Sequence, residues 1–331
     1  MPMLSKLESI FAKLAGSNPR TNRMLKLDFL IPASPTDAFF SQIALFRLAL
    51  DALGEVYRKA RVVAVLGCEA ITPIPSRWDP YLERVEVVWA DPGDFKRRGY
   101  RAQGDLRFER FRPDADLVVL CDADTVFMRP WLDLAETLAR EPRLAGVIAH
   151  YHCPWTDLTA GAVEDWKGLA RSLLGHDIPL DYRYSLQDPD RADPCPFYIN
   201  YGFFAGTPAL FAKFFPVYRD VLPEVKRALQ NHFDGQVALA LAIAQLELPA
   251  VALPMRYNFP NDPQADALYP EEREQMVMLH YLRTLHFDRH IIFAGEEPFR
   301  KFLSLDLEGS NRDFQAFVRE LTRGRYPFGS R

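Results

Sequence analysis

Apolar positions along the chain alternate between strand and helix spacing. Leu25 to Ile31 is apolar except at Lys26 and Asp28 and closes on Pro32-Ala33-Ser34-Pro35, the pattern of a core strand running into a loop. Thr36 or Asp37 can cap the helix that follows, whose apolar residues Phe40, Ile43, Leu45, Phe46, Leu48 and Leu50 carry it to Gly54. Further strands are predicted at Val62–Leu66 and Val85–Trp89, and a helical stretch from Tyr100 to Phe111 leads to a fourth strand. Strands separated by helices in this order make right-handed crossovers and a parallel sheet, hence an α/β fold.

The fourth strand carries the chemistry. Leu117-Val118-Val119-Leu120-Cys121 is a continuous apolar run that ends in Asp122-Ala123-Asp124. Such a run reads as a buried strand with an acidic tip, and ligands of open α/β sheets bind at the carboxyl ends of strands. If Asp122 leaves the strand and Asp124 lies in the turn, both can face one hard cation that keeps positions open for substrate phosphates.

Beyond it a helix is predicted at Trp131–Arg140 and a strand at Leu144–His150. Tyr151 to Pro196, with Asp157, Asp188, Asp190 and Asp193 among prolines and aromatics, is long for a connection and is read as the variable acceptor or lid region. His150, His152, Cys153 and Cys195 admit a zinc reading, but they lack the second half of any familiar ligand spacing. Pro196 to Gly206 is an aromatic strand interrupted by Asn200 and Gly202, where glycine signals close approach by a ligand, or a bulge. Asp234-Gly235-Gln236 opens a helix to Gln245, and its polar groups can meet hydroxyls or an anion, although Asp234 also reads as a plain N-cap. Strands at Val251–Leu253 and at Met276–Leu279, ending on His280, precede two amphipathic helices between Glu297 and Arg323.

The 331 residues, 48% hydrophobic and 25% charged, are globular material. We divide them into an amphipathic segment (1–24), one α/β domain (25–295) and C-terminal helices with a tail (296–331). A net charge of −4 offers no general attraction to nucleic acid, so a phosphate-bearing substrate has to be held locally by a metal or a few arginines. The four cysteines form no CxxC pair and read as free thiols of a reducing compartment. With no apolar run of ~20 residues and no signal-peptide core, a cytoplasmic location is expected. Leu4, Leu7, Ile10, Phe11 and Leu14 recur at helical spacing, which allows at most peripheral membrane contact.

Taken together these elements resemble glycosyltransferases of the GT-A fold, nearest to family 8 and its bacterial relatives, over roughly Leu25 to His290. LCDADTVF resembles the metal-binding segment of that family. MLHYLR resembles the C-terminal strand whose histidine completes the metal site, here without the usual His-x-Gly continuation. FDGQVALALA resembles the helix start bearing an Asp-Gln pair, here split by Gly235. The resemblance implies a GT-A-like domain with a mostly parallel sheet flanked by helices and a helical C-terminal appendage. It also implies a nucleotide-sugar donor, most often UDP-linked, with Mn2+ or Mg2+ bridging the diphosphate.

On that likeness Asp122 and Asp124, with Ala123 between them, hold ion and donor, and His280 is the third ligand. Ala33 and Ser34 after the first strand and Asp91 after the third contact the nucleoside. Arg101 and Arg107 are candidates for phosphate or donor-sugar contacts, though each also reads as a solvated helix face. Asn200, Gly202, Asp234 and Gln236 line the sugar side, with Asp234 the general base of an inverting reaction; a retaining one needs no protein base. The acceptor is expected to be a glycan, a lipid-linked saccharide or a protein. Two rival readings are a haloacid-dehalogenase-like phosphatase, with Asp122 as nucleophile and Asp124 as acid/base, and a non-catalytic sugar-nucleotide-binding protein.

Overall fold

In a computed structural model of the chain the apolar runs form strands β1 (Leu27–Ala33), β2 (Arg61–Leu66), β3 (Glu86–Trp89), β4 (Leu117–Leu120), β5 (Thr125–Phe127), β6 (Leu144–Ile148), β7 (Tyr182–Arg183), β8 (Pro194–Cys195), β9 (Ile199–Gly206), β10 (Ala250–Ala252), β11 (Phe259–Pro260) and β12 (Met278–His280). The structure describes residues 24–152, 162–188, 190, 192–229 and 233–328. Seven strands make the central sheet in the order β10-β6-β9-β4-β1-β2-β3. All its pairings are parallel except those of β9, which runs antiparallel to both β4 and β6. The fold is thus mixed α/β, with a mostly parallel sheet flanked by helices.

Strand alternation splits the core between the two faces. Phe29, Ile31, Leu117, Val119 and Cys121 enter one layer, together with Phe46 of the helix Asp37–Ala52 and Trp131. Leu30, Val118 and Leu120 enter the other, beneath the helices Pro208–Leu229 and Asp234–Gln245. The C-terminal helices Glu296–Leu303 and Gly309–Thr322 contribute Phe299, Phe302, Phe314 and Val318 to the first layer.

Several elements differ from expectation. β1 runs through Pro32 and Ala33, where the sequence pattern predicts a loop. Cys121 N–H donates to Leu30 O, so the even residues of β1 face β4, and the β4 pairing stops opposite Leu30. Pro32 therefore faces a side with no strand, where its missing N–H costs nothing. The stretch Tyr100–Phe111 is a shorter helix, Arg101–Leu106, followed by one 3-10 turn, and a separate helix Pro92–Arg98 precedes it. Segment 151–196, read as a connection, contains a helix at Ala162–Leu174 and the β7–β8 hairpin.

The sequence reading places no element over Pro208–Leu229; the structure has one helix there, running through Pro216 and Pro223. Its aromatic face holds it: Phe108 stacks 5.1 Å from Phe215 and lies 5.8 Å from Phe214 and 5.3 Å from Tyr218. Of the zinc group, His152 is engaged by Tyr184 Oη at 3.0 Å and Asp165 Oδ2 at 2.8 Å. Cys153 and Asp157, like residues 1–23, lie outside the described residues. Cys68, Cys121 and Cys195 are free thiols. Among the described residues no helix is long and apolar enough to cross a membrane.

Candidate metal centre

The acidic tip of β4 is a turn whose carbonyls are all engaged. Cys121 O accepts from Arg107 Nη1 (3.2 Å), Asp122 O from Thr125 Oγ1 (2.8 Å), Ala123 O from Tyr281 Oη (3.2 Å) and Asp124 O from Tyr281 N–H (2.9 Å). Tyr281 in turn stacks on Phe314 with ring centroids 4.5 Å apart, so the C-terminal helix Gly309–Thr322 braces the turn. A turn held at four consecutive carbonyls keeps its two carboxylates where they are needed before any ligand arrives.

His280 comes to this tip through strand register. β12 pairs antiparallel with β5, with His280 opposite Thr125, directly after Asp124. Its Nε2 lies 3.3 Å from Asp124 Oδ1 and 4.0 Å from Asp122 Oδ2, and one ligand atom from each of the three side chains falls within 4.8 Å of the others. His280 Nδ1 lies 3.1 Å from Asn258 Oδ1, and Asn258 Nδ2 donates to Asn200 Oδ1 at 3.0 Å. Asn200 Oδ1 also accepts from Gly202 N–H at 2.9 Å. The imidazole and the Asn258 amide fill the space a side chain on residue 202 would take, which accounts for the glycine in this strand.

Two arginines flank the carboxylates. Arg289 Nε is 2.9 Å from Asp124 Oδ2, and Arg107 Nη1 is 3.7 Å from Asp122 Oδ1. Arg107 is buried with its guanidinium 5.1 Å from the Tyr201 ring, and its Nε has no hydrogen-bond partner. Burial raises the Asp122 carboxyl above its ordinary value, and the Asp124 charge adds to this against the pull of Arg107. Burial also opposes the Asp124 charge, but His280 and Arg289 outweigh it and hold that carboxyl down to about 2. The two carboxylates therefore differ in character: one is charged under all ordinary conditions, the other is readier to take up a proton. Two carboxylates and one imidazole suit a divalent ion such as manganese or magnesium, which accepts oxygen ligands and retains open positions.

The remaining expected residues are placed as follows. Ala33 is buried and its carbonyl accepts from Gly67 N–H at 3.1 Å and Gln103 Nε2 at 3.3 Å, while Ser34 is half-buried. Asp91 caps the helix Pro92–Arg98 by accepting from Asp94 N–H at 2.7 Å. Arg101 and Asp234, from different elements, form an ion pair, with Asp234 only 1% exposed; Asp234 is the first residue of its helix and not the N-cap. Gln236 sits half-buried in the same helical turn. Neither arginine is a solvated helix face.

Sequence reasoning missed Asn258, Arg289, Tyr281 and Tyr100. Tyr100 donates to Pro32 O at 3.0 Å, and burial of its hydroxyl, then the Asp122 charge, push its pKa up. The one signal available was position: Tyr281 and Arg289 follow the histidine strand closely, and Asn258 immediately precedes the strand that pairs with it.

No protein-family model matches the chain, and no curated protein does. Among solved structures, the galactosyltransferase LgtC in complex with donor and acceptor sugar analogues overlays with a TM-score of 0.49 at 14% identity, covering 78% of this chain and 87% of its own. An active-site mutant of LgtC gives 0.47 at 14% identity, over 77% and 87%. The bifunctional glycosyltransferase WbbM, in its apo form, gives 0.49 at 12% identity, over 86% of this chain, which spans only 53% of WbbM. At these scores the overlays are likenesses in the course of the backbone and no more. What the chain itself presents is a mixed α/β sheet with an Asp-Asp-His cluster at the carboxyl end of β4.

Proposed function

We propose that the protein is a metal-dependent glycosyltransferase that moves a hexose from a nucleoside diphosphate donor, a UDP-sugar, to a saccharide-bearing, lipid-linked or protein acceptor. The observation that carries this is the convergence of Asp122, Asp124 and His280 within 4.8 Å at a strand's carboxyl end, with Arg107 and Arg289 beside them. Asp122, Asp124 and His280 would hold a hard divalent cation and would leave it open positions for substrate oxygens. The chemistry that manganese or magnesium would supply there is electrostatic stabilisation of the charge that builds on a departing diphosphate.

The chain's own residues take the other parts. Arg107 and Arg289 sit where they can donate to phosphate oxygens. Ala33, Ser34 and Asp91 are assigned to the nucleoside, at the ends of β1 and β3. Asp234, paired with Arg101, and Gln236 are assigned to sugar or acceptor hydroxyls, with Asp234 as the base of an inverting route. Asn200 spends its oxygen on Gly202 and Asn258, which leaves its amide N–H groups for the sugar. Gly202 admits His280 and Asn258, and we assign its backbone to the donor-sugar side. We assign acceptor choice to segment 151–196, and cytoplasmic residence to the protein as a whole.

The phosphatase alternative has less support. Among the described residues the basic side chains within 4.0 Å of the Asp122 carboxylate are Arg107 and His280, with no lysine among them. UDP should raise the melting temperature in the presence of Mn2+ and lose that effect with excess chelator. Asp124→Ala should abolish both the shift and the hydrolysis of nucleotide sugars while remaining folded. No shift with any nucleoside diphosphate, or a fully active Asp124→Ala enzyme, would sink the proposal.

A further inference from the structure

We infer that Asn258, anchored through Asn200 to the backbone of Gly202, is a positioning residue that fixes the His280 ring with the proton on Nδ1 and the Nε2 lone pair turned toward Asp122 and Asp124. The inference rests on the metal-site reading above and assigns the element that makes His280 a ligand.

The polarity of the chain of contacts follows from its one unambiguous end. A backbone N–H can only donate, so the Asn200 atom 2.9 Å from Gly202 N is the carboxamide oxygen. That oxygen also lies 3.0 Å from Asn258, so the group facing it must be the Asn258 amide nitrogen. The other end of the Asn258 carboxamide is then its oxygen, an acceptor, 3.1 Å from His280 Nδ1. Nδ1 must carry the hydrogen, and the metal-facing nitrogen is left as Nε2. Flipping either amide would set donors against donors or acceptors against acceptors at one of these contacts. Asn258 is 1% exposed and His280 4%, so water does not compete for the bonds.

Nothing in holding strands together requires this tautomer. A lone pair aimed between two carboxylates, 3.3 and 4.0 Å away, is repulsive unless a cation or a proton lies between them. The arrangement is what a ligating imidazole needs: its far nitrogen donates to a buried acceptor that sets ring orientation and basicity.

The test measures Mn2+ affinity of the donor-free protein by electron paramagnetic resonance, in wild type, Asn258→Leu and Asn258→Asp. Leucine keeps approximate volume but accepts nothing from Nδ1, and should weaken Mn2+ about 10- to 100-fold. Aspartate still accepts from Nδ1–H but loses the bond to Asn200, so it should melt lower than wild type yet bind Mn2+ at least as tightly. Wild-type affinity in the leucine variant would overturn the inference. So would affinity that merely tracks melting temperature, with aspartate as poor as leucine. If wild type binds no Mn2+, the metal reading itself fails, and the 15N spectrum of His280 in the metal-free protein still decides the rest: a protonated Nδ1 upholds the positioning role and a bare Nδ1 refutes it.

Discussion

Alanine in place of Gly202 puts a methyl group into space already taken. A Cβ on residue 202 would lie 2.3 Å from His280 Nδ1, 2.4 Å from Asn258 Oδ1 and 2.9 Å from His280 Cε1. Ordinary contact needs roughly 3.5 Å, so ring and amide must retreat by about 1 Å. Neither is a loose end: both are buried, and each is hydrogen-bonded to the other. Gly202 is not among the positive-φ glycines, so the effect is steric and owes nothing to backbone strain. Overpacking of this kind costs about 1–3 kcal/mol. A displacement of about 1 Å at a reacting site can cost on the order of 100-fold in turnover. Gly104, in the helix Arg101–Leu106 and with no atom within 4 Å of its Cβ position, is the control. There alanine should stabilise by about 0.5–1 kcal/mol and leave the site alone. Melting temperature, Mn2+ affinity and donor hydrolysis are measured side by side on both variants. A Gly202→Ala protein matching wild type in all three would refute the packing of His280 and Asn258 described above.

Arg101→Met should leave Asp234, 1% exposed, as an unpaired buried charge; since the arginine side chain is itself 23% exposed, we expect the lower end of the usual range, about 3 kcal/mol, in chemical denaturation. Adding Asp234→Asn should recover most of that loss, and a single variant of wild-type stability would contradict the ion pair. His150 is buried neutral: burial, then Arg283 and His280, pull its pKa from 6.5 to about 3. The unfolded chain takes up a proton near pH 6.5 that the fold refuses, so this contribution is complete above 6.5 and fades as pH falls toward 3. The loss should reach about 2 kcal/mol at pH 5. His150→Gln should flatten the acid limb of the stability profile, and an unchanged limb in the variant would count against a buried neutral imidazole.

The order β1 to β4, the acidic tip, and the helix Asp234–Gln245 were legible because each is set by local rules. A continuous apolar run has few fates other than a buried strand, and a run of alanine and leucine behind a polar start is a helix. The helix Pro208–Leu229 was not legible, since each internal proline forfeits a hydrogen bond locally. What offsets that loss is burial of Phe211, Phe214 and Tyr218 against Phe108, a residue distant in sequence. Arg101 and Arg107 look alike in sequence, and only packing sent one to Asp234 and the other beneath Asp122.

The sequence by itself determined that two carboxylates would stand at the end of a buried strand in an α/β sheet. Only the likeness of MLHYLR to a known histidine strand pointed to His280, and the residues that hold that ring in place were not legible. His280 reaches Asp124 because β12 lies antiparallel to β5 in one register, and a slip of a single residue would turn its ring to the opposite face. Gly202 reaches His280 from within β9 and Asn258 from the turn before β11, and Tyr281 is pressed onto the turn by Phe314 of the last helix. Strand register and side-chain packing are energies shared among distant segments, so tertiary structure decided how Asp122, Asp124 and His280 are brought within 4.8 Å of one another and what braces them.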